Sequence, residues 1–236
     1  MTVKANLHMH TAEDLKERFK VKYTIYQAID KARSYGFGAL ALTCHKRYVY
    51  SQDYFDYARN KGILLISGIE LGLRNRILGR KDIIVLNCDK SAERIKTLDD
   101  LAGYKRSHPE IFVIAPHPNF SRWQSVGLAH LLKYIDLFDA IEYSWFYSRS
   151  VNFNLAAEEV AKRYGKPFIA TSDTHDLKYL NASYALIEAE EPSPAAIFRA
   201  IKRKRFTNVA APQKISELTL FSAKMVVAGL TRGRRR

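Results

Sequence analysis

Residues 3–10 read VKANLHMH, an apolar strand pattern that runs directly into two histidines. On an extended backbone, His8 and His10 share one face while Met9 points away from it. In a parallel β/α barrel the carboxyl ends of the strands converge on one face, and active sites are built there. The two histidines are therefore placed as a chelating pair at the mouth of a predicted barrel.

The same pattern recurs along the chain, where other short apolar runs also lead to potential metal ligands. These ligands are His45, Glu70, His117, Asp173 and His175. The spacing of Asp173 and His175 repeats that of the first pair, so they also share one face. A single histidine at a strand end is weak evidence for a metal site. Five histidines and two carboxylates in register predict that distant segments deliver them to one pocket.

The chemistry of this ligand set predicts a catalytic centre with more than one ion. Neutral imidazole and carboxylate together suit borderline divalent ions such as Zn²⁺, Mn²⁺ or Fe²⁺. Seven candidates exceed the three or four protein ligands of one catalytic zinc, so two or three ions are indicated, with Glu70 able to bridge two. Ions about 3.5–4 Å apart clamp the attacking and leaving oxygens of an in-line displacement and produce hydroxide near neutral pH. That is the chemistry of phosphate-ester hydrolysis.

Strand-like and helix-like segments alternate from end to end, which is typical of an α/β barrel. Predicted strands cover residues 3–7, 39–43, 63–67, 83–87, 111–115, 140–143 and 167–171. Because each of these seven runs leads into a helix or loop, the pattern favours a parallel sheet, in which closure makes strands one and seven neighbours. Residues 184–189 are a further candidate strand.

Nothing in the composition divides the chain, so we expect a single domain. The domain covers residues 1–236. It consists of a barrel core at residues 3–190, a C-terminal helical segment at 193–230 and a basic tail at 231–236. Within the helical segment, Leu218, Phe221 and Met225 form one apolar stripe. This stripe predicts a helix packed across the exterior or the floor of the barrel.

Length and cysteine usage favour a cytoplasmic enzyme. At 236 residues the chain suffices for one such barrel. No apolar run approaches the ~18 residues needed to cross a bilayer, and the amino terminus enters a strand rather than a signal peptide. The two cysteines, Cys44 and Cys88, form no CxxC motif, which favours a reducing compartment.

The formal net charge is +14, from 38 Lys and Arg against 24 Asp and Glu. Two clusters concentrate the positive charge. They are Arg199, Lys202, Arg203, Lys204 and Arg205, and then Arg232, Arg234, Arg235 and Arg236. Such clusters attract nucleic acid through counterion release. A solvated helix face and a frayed tail explain them equally well, and no membrane contact is expected.

The ligand segments resemble the signature motifs of the polymerase and histidinol phosphatase (PHP) superfamily. The segments are His8-Met9-His10-Thr11, Thr43-Cys44-His45, Gly68-Ile69-Glu70, Pro116-His117-Pro118 and Ser172-Asp173-Thr174-His175. The resemblance spans residues 3–176 in matching order. It implies a distorted (β/α)7 TIM-like barrel with C-terminal helices, in which a di- or trinuclear site hydrolyses phosphate esters through metal-bound hydroxide. His8, His10, Glu70, Asp173 and His175 are then the expected catalytic residues.

Two further stretches are similar to one branch of that superfamily, the nucleotide phosphatases and 5′–3′ exoribonucleases. In residues 82–87, DIIVLN, an Asn occupies position 87, where histidinol phosphatases place a His. The stretch Ile141-Glu142-Tyr143, followed by Arg149 and Asn152, also resembles this branch. The resemblance therefore implies a nucleotide or a nucleic-acid end as the substrate.

The chain departs from the family pattern at two places. Cys44 occupies a position where the family has Asp, and we interpret it as a buried thiol rather than a soft metal ligand. The loss of that carboxylate should weaken the hydrogen-bond support of His45. The family also places a ligand shortly after its first motif, and here Glu13 or Asp14 is the candidate for it.

Basic residues are expected near the ions, because Arg binds phosphate with two parallel hydrogen bonds. Among the basic residues of the predicted mouth loops, Arg47 and Arg149 are our candidates for phosphate binding.

Two other functions compete with a nucleotide or nucleic-acid phosphoesterase. One is a small-metabolite phosphatase of the histidinol-phosphate type, which Asn87 disfavours. The other is a non-catalytic nucleic-acid-binding barrel, which the complete ligand set disfavours; C–N bond hydrolysis is a more distant alternative.

Overall fold

The computed structural model describes residues 1–14, 19–75, 79–119 and 125–233. Within those ranges one sheet holds nine strands. The strands are β1 (Thr2–Asn6), β2 (Ala39–Leu42), β3 (Leu64–Asn75), β4 (Gly79–Leu86), β5 (Phe112–Ala115), β6 (Ala140–Ser144), β7 (Phe168–Thr171), β8 (Ser183–Glu188) and β9 (Phe206–Ala210). The helices are α1 (Ile25–Ser34), α2 (Gln52–Asn60), α3 (Leu98–Ser107), α4 (Leu128–Lys133), α5 (Leu155–Arg163), α6 (Pro194–Lys202) and α7 (Ile215–Gly233).

The sheet curls into a distorted barrel with strand order β7-β6-β5-β4-β3-β2-β1-β8-β9. Strands β1, β2 and β3 are mutually parallel, as are β5, β6 and β7. The predicted α/β barrel is therefore confirmed as a fold class. Helices cover its outside, and α1 illustrates how the sequence achieves this. Its apolar residues at Ile25, Ala28, Ile29 and Ala32 are all buried, and a capping box at Thr24 starts it.

The prediction of a wholly parallel sheet is wrong at the fourth strand. β4 runs antiparallel to both β3 and β5. Only three residues separate Asn75, the last of β3, from Gly79, the first of β4. A parallel connection needs a crossover of about a dozen residues or more, whereas a hairpin needs only a few. The short spacing therefore forces β4 to start at the mouth and end at the opposite end of the barrel.

Strands β1 and β7 are not the ladder neighbours that closure of seven strands predicts. β8 pairs antiparallel with β1, and β9 pairs antiparallel with β8. Asn208 of β9 then links to β7, because its amide donates to Phe168 O at 2.8 Å and its oxygen accepts from Ala170 N at 2.8 Å. Beyond the strand ends the two extensions do meet, since His10 N donates to the carbonyl of Thr174 at 3.1 Å.

One apolar cluster fills the barrel interior and closes its floor, the end opposite the metal-ligand segments. Its strand members include Val3, Ala5, Ala39, Ile66, Ile84, Phe112, Ala140, Ile169 and Ile187. Helix α6 joins them through Ile197, Phe198 and Ile201. The Phe198 ring stacks on Phe112 with centroids 4.7 Å apart. Because Phe112 begins β5 far from the mouth, α6 acts as the barrel's plug.

The C-terminal helical segment differs from its prediction in two ways. Strand β9 interrupts residues 193–230, so the segment is not wholly helical. Helix α7 also lies at the mouth rather than on the exterior or the floor. Phe221 packs edge-on against Trp145 and Tyr179, with centroids 5.2 and 5.5 Å away. Among the described residues no helix combines the length and the hydropathy needed to cross a membrane.

Candidate metal centre

The mouth of the barrel brings all seven predicted ligands together. His8 and His10 follow β1, His45 follows β2, His117 follows β5, and Asp173 and His175 follow β7, while Glu70 lies within β3. The Nε2 atoms of His8 and His10 are 3.2 Å apart. Asp173 Oδ1 lies 3.2 Å from the first and 3.3 Å from the second. Three ligand atoms from two distant segments therefore surround one point.

Glu70 occupies the middle of the cluster. Its Oε2 is 2.9 Å from His45 Nε2 and 3.4 Å from His10 Nε2. Its other oxygen, Oε1, is 3.6 Å from His117 Nε2. A carboxylate with imidazoles on two sides is placed to bridge two ions.

Two buried carboxylates orient the imidazoles from behind. Glu142 Oε1 is 2.8 Å from His8 Nδ1, and the same carboxylate accepts hydrogen bonds from Thr171 Oγ1 and His117 N. These contacts leave His8 Nε2 facing the centre, as outer carboxylates do for metal-binding histidines. The sequence had pointed to Glu142 only through a resemblance, without a role.

Asp14 gives the corresponding support to His45. Its Oδ2 is 2.9 Å from His45 Nδ1, accepts from His45 N at 2.7 Å, and lies 3.4 Å from His10 Nδ1. Of the two predicted alternatives, the structure brings Asp14 to the centre, whereas Glu13 Oε1 accepts from Ile25 N at 3.3 Å beside α1. His45 therefore has carboxylate support although Cys44 carries no carboxylate. The Cys44 thiol is fully buried in an apolar cluster and lies 3.8 Å from Thr11 Oγ1.

Asp82 is a site residue that the sequence analysis missed. Its carboxylate is 2% exposed and lies within 4.8 Å of ligand atoms of His45 and Glu70. It reaches the mouth because β4 is antiparallel, which brings the amino end of that strand to the metal-ligand side. Asn87, at the other end of β4, instead donates to Glu110 O at 3.2 Å, far along the strand from the centre. The three-residue gap before β4 was the signal that could have found Asp82.

The backbone is strained at two of the ligand positions. His117 has φ of 30° and Asp173 has φ of 40°. Non-glycine residues in this left-handed region cost about 1–3 kcal/mol each and collect at functional sites. The hydrogen bond from His117 N to Glu142 helps to hold the first of them.

Charge pairing sets the protonation of the metal-free centre. Burial alone would lower the pKa of His45, but Glu70 and Asp14 raise it to about 10. Burial alone would also lower the pKa of His117, but the carboxylates of Glu70, Glu142 and Asp173 raise it to about 9. For Glu70 burial would raise the pKa, and the facing imidazole of His45 instead holds it well below its usual range.

The side chains present fit a group of divalent cations. Glu70 Oε2 and Asp173 Oδ1 are buried and make no hydrogen bond in the structure. A buried carboxylate oxygen without a donor is costly, yet both oxygens face imidazole nitrogens within about 3.5 Å. Overlapping ligand groups share these atoms, namely His8, His10 and Glu70; His45, Glu70 and Asp82; and His10, Asp173 and His175. Imidazole nitrogens and carboxylate oxygens that converge on shared points in this way are the arrangement that metal ions require.

A cavity of about 290 Å³ opens over this centre. Its walls include Trp145, Phe146, Phe221 and Met225 on the apolar side, and Lys20 is the basic residue that lines it. The predicted phosphate ligands Arg47 and Arg149 are exposed and do not line this cavity. Their role stays a prediction.

The predicted nucleic-acid contacts lie elsewhere. Residues of the cluster between Arg199 and Arg205 pair with carboxylates at the floor end. Arg199 is 3.4 Å from Glu190, Lys202 is 3.1 Å from Asp139, and Arg205 is 3.8 Å from Glu188. Arg234, Arg235 and Arg236 lie outside the described residues, as does the side chain of Arg232.

Comparison with known proteins identifies two family models in the chain. The model described as PHP domain matches residues 6–172, and one described as PHP-associated matches residues 152–206. The first covers the segments of His8, His10, His45, Glu70 and His117 and ends at Ser172, just before Asp173 and His175, which the second match includes. No curated protein matches the chain.

Several solved structures share the fold. A two-domain Bacteroides vulgatus protein containing a predicted PHP-like metal-dependent phosphoesterase is 22% identical, with a TM-score of 0.67 over 95% of this chain and 70% of that one. The lesion-specific endonuclease EndoQ of Pyrococcus furiosus is 14% identical, with a TM-score of 0.62 over 94% of this chain and 66% of that one. PsfC of Pseudomonas syringae is 15% identical, with a TM-score of 0.58 over 100% and 99% of the two chains. At these identities the likeness concerns the fold.

Proposed function

The chain belongs to the PHP domain family, and from this premise we propose that it is a hydrolase that uses two or three divalent metal ions to cleave a phosphate ester of a nucleotide or of a nucleic-acid end. One observation supports this most strongly. Glu70 Oε2 and Asp173 Oδ1 are buried without hydrogen bonds among converging imidazole nitrogens. Cations are the partners that satisfy both kinds of atom at once.

The ligands divide around Glu70. His8, His10 and Asp173 would hold one ion on the β1–β7 side, and His45 and Asp82 would hold a second, with Glu70 shared between them. His117 faces the other oxygen of Glu70 at 3.6 Å and lies in one ligand group with His8 and Glu142. A third ion would fall to His10, Asp173 and His175. The donor set suits Zn²⁺, Mn²⁺ or Fe²⁺.

The ions would supply an activated water and neutralise charge on the phosphate oxygens. The protein's own side chains hold the metal ligands in fixed orientations. Glu142 fixes His8 through Nδ1, and Asp14 fixes His45. Tyr23 Oη donates to the Thr174 carbonyl at 2.7 Å and so holds the segment between Asp173 and His175. Preorganised groups of this kind lower the cost of reaching the transition state.

The walls of the cavity favour a nucleotide over a smaller polar metabolite. Phe146 and Phe221 offer aromatic surface beside the ligands, and the buried ring of Trp145 packs against both of them. Stacking of a nucleobase on such side chains contributes about 1–3 kcal/mol for each base and tolerates any sequence. Lys20 lines the same cavity and can meet a phosphate oxygen. Arg47 and Arg149 would have to reach inward to assist it.

The decisive experiment combines metal content with a substrate panel. We expect purified protein to contain about two or three equivalents of divalent transition metal by elemental analysis. We also expect hydrolysis of nucleoside monophosphates or 5′-phosphorylated oligonucleotides to exceed that of histidinol phosphate. Absence of turnover on every phosphate ester, with any of the three metals restored, would exclude the enzymatic function. Tight oligonucleotide binding without turnover would instead support a non-catalytic barrel.

Two further expectations accompany this proposal. A single domain over residues 1–236 is consistent with the plug formed by α6 and the roof formed by α7, and limited proteolysis can test it. A cytoplasmic location rests on the two cysteines, which are both free and buried.

A further inference from the structure

A second concave surface adjoins the metal centre, and its charge is opposite to that of the ligand carboxylates. It is a groove of about 810 Å³ between α1 and α7. The segment from His175 to Leu177 forms its base, so the groove opens directly beside a candidate ligand. Tyr23 lines it as well, and its hydroxyl contacts the Thr174 carbonyl. We call this surface the α1–α7 groove.

Four lysines line the α1–α7 groove from three separate segments. Lys20 and Lys22 precede α1, Lys31 lies on α1, and Lys224 lies on α7. Lys20 lines the cavity over the metal centre too, so the positive charge is continuous between the two surfaces. Sequence spacing could not reveal this convergence, because about 190 residues separate Lys31 from Lys224.

The two acidic residues of the groove are already engaged. Asp30 accepts from Tyr57 Oη at 2.9 Å and is 3.0 Å from Lys61 Nζ. Asp176 Oδ1 accepts from Lys178 N at 3.1 Å. Within the described part of the chain, no carboxylate forms an ion pair with Lys22, Lys31 or Lys224. Lys22, Lys31 and Lys224 therefore present positive charge that forms no ion pair with any described carboxylate.

This arrangement contrasts with the cluster between Arg199 and Arg205, in which four of the cations face carboxylates within 4.0 Å. The groove also has the right dimension for more than one phosphate. Along α1 the groove extends from Gln27 to Ser34. This is a length of about 10 Å, because a helix rises 1.5 Å for each residue.

We propose that the α1–α7 groove binds the phosphates of the substrate that the reaction leaves intact. The inference rests on the proposed function and deepens it. A substrate with one phosphate over the metal centre would extend further phosphates past His175 towards Lys22, Lys31 and Lys224. The ligand class is an anion with at least two phosphates, either a nucleic-acid strand or a nucleoside bisphosphate. Each lysine that meets a phosphate releases counterions when a strand binds, which makes binding sensitive to salt.

The test uses the metal-loaded full chain and the double variant Lys22→Glu with Lys224→Glu. Its matched control is Lys90→Glu with Lys133→Glu, two exposed lysines that do not line the groove and that change the net charge equally. The substrates are an aryl phosphate, a nucleoside monophosphate, a nucleoside 3′,5′-bisphosphate and a 5′-phosphorylated oligonucleotide. For each protein the ratio of kcat/KM for the multiply phosphorylated substrates to kcat/KM for the aryl phosphate is measured.

We expect the groove variant to lower that ratio about tenfold, because the hydrogen bonds that the two lysine ammonium groups donate to phosphate are charge-assisted, whereas the control leaves it unchanged. Anisotropy of a labelled oligonucleotide should show a salt slope smaller by about one for each phosphate that a lysine no longer neutralises. If only the oligonucleotide ratio falls, the groove holds a strand; if the bisphosphate ratio falls too, one additional phosphate is enough. Equal ratios in the groove variant, the control and the parent protein would overturn the groove proposal. Failure of the parent protein to hydrolyse even the aryl phosphate would instead overturn the proposed function.

Discussion

The two ends of the barrel bury opposite kinds of side chain, apolar at the floor and titratable at the mouth. The floor is apolar, with Phe112, Phe198 and Ile197 packed against inward-facing strand residues. The mouth buries His8, Glu70 and other titratable groups that are almost inaccessible to solvent. Burying charge costs free energy unless partners compensate for it. The floor therefore stabilises the fold, and that stability supports a mouth arranged for chemistry.

The largest effect should come from removing a candidate ligand at the mouth. Asp173→Asn preserves shape, and Asn tolerates the left-handed backbone that Asp173 adopts. We expect kcat/KM to fall by about 1,000-fold or more, because the variant forgoes a transition-state interaction of several kcal/mol. Metal content should fall as well, and the metal-free protein should lose some stability, because Asp173 pairs with His8 and His10 in the buried centre. Asp89→Asn, at an exposed turn, is the control; unaltered hydrolysis by Asp173→Asn would contradict the role of Asp173.

The floor should show the reverse response. Phe112→Ala removes the ring that stacks on Phe198 and leaves a cavity. We expect it to lower the free energy of unfolding by about 3–5 kcal/mol. Turnover for each folded, metal-loaded molecule should stay close to that of the parent. Denaturant titration and active-site-normalised kinetics measure the two quantities, and a large loss of normalised turnover would show that the ends are not independent.

A change of pH should alter metal binding at the mouth and leave the apolar floor unaffected. With pKa values of about 10 and 9, His45 and His117 carry protons at neutral pH in the metal-free protein. Metal binding must displace both protons, so affinity rises with pH by up to about 100-fold for each pH unit between pH 6 and 8. Calorimetry in buffers of different ionisation enthalpy counts the protons released. A metal affinity independent of pH over that range would be incompatible with these pKa shifts.

A smaller effect should follow from changing the support behind a ligand. Glu142→Gln keeps the size of the side chain but weakens its contact with His8 Nδ1. Changes of this kind cost about 10–100-fold in metal affinity or activity. Competition with a fluorescent chelator measures the affinity. Glu159→Gln, on the exposed side of α5, should have no effect, and an equal effect of both changes would remove Glu142 from the site.

The sequence predicted the mouth better than the chain path that builds it. Strand ends followed by His8, His10, His45, His117, Asp173 and His175 were recognisable, because alternation on an extended backbone fixes which side chains share a face. The reversal of β4 was not, and Asp82 was missed with it. An apolar run such as residues 83–87 has no direction of its own, so its orientation depends on the length of the preceding connection.

Other features depend on contacts that no local pattern encodes. Asn208 closes the barrel by hydrogen bonding to the backbone of β7, and one polar residue in a short strand gives no warning of this. Phe221 belonged to a recognised apolar stripe, but a stripe does not say which surface it covers. Clusters of basic residues in the sequence were equally ambiguous, since the lysines of the α1–α7 groove are scattered and the cluster between Arg199 and Arg205 is largely paired.

The positive φ angles at His117 and Asp173 have a consequence for mutational tolerance. Lys46 and Lys204 have similar backbone angles, of 54° and 56°. Glycine relieves such conformations, so Lys204→Gly should be accepted readily or even favoured, and β-branched residues should be rejected at all four places. At position 173 the glycine that relaxes the main chain also deletes the carboxylate. A library of variants at position 173 can be scored separately for protein abundance and for hydrolysis. Glycine should then give high abundance but low hydrolysis.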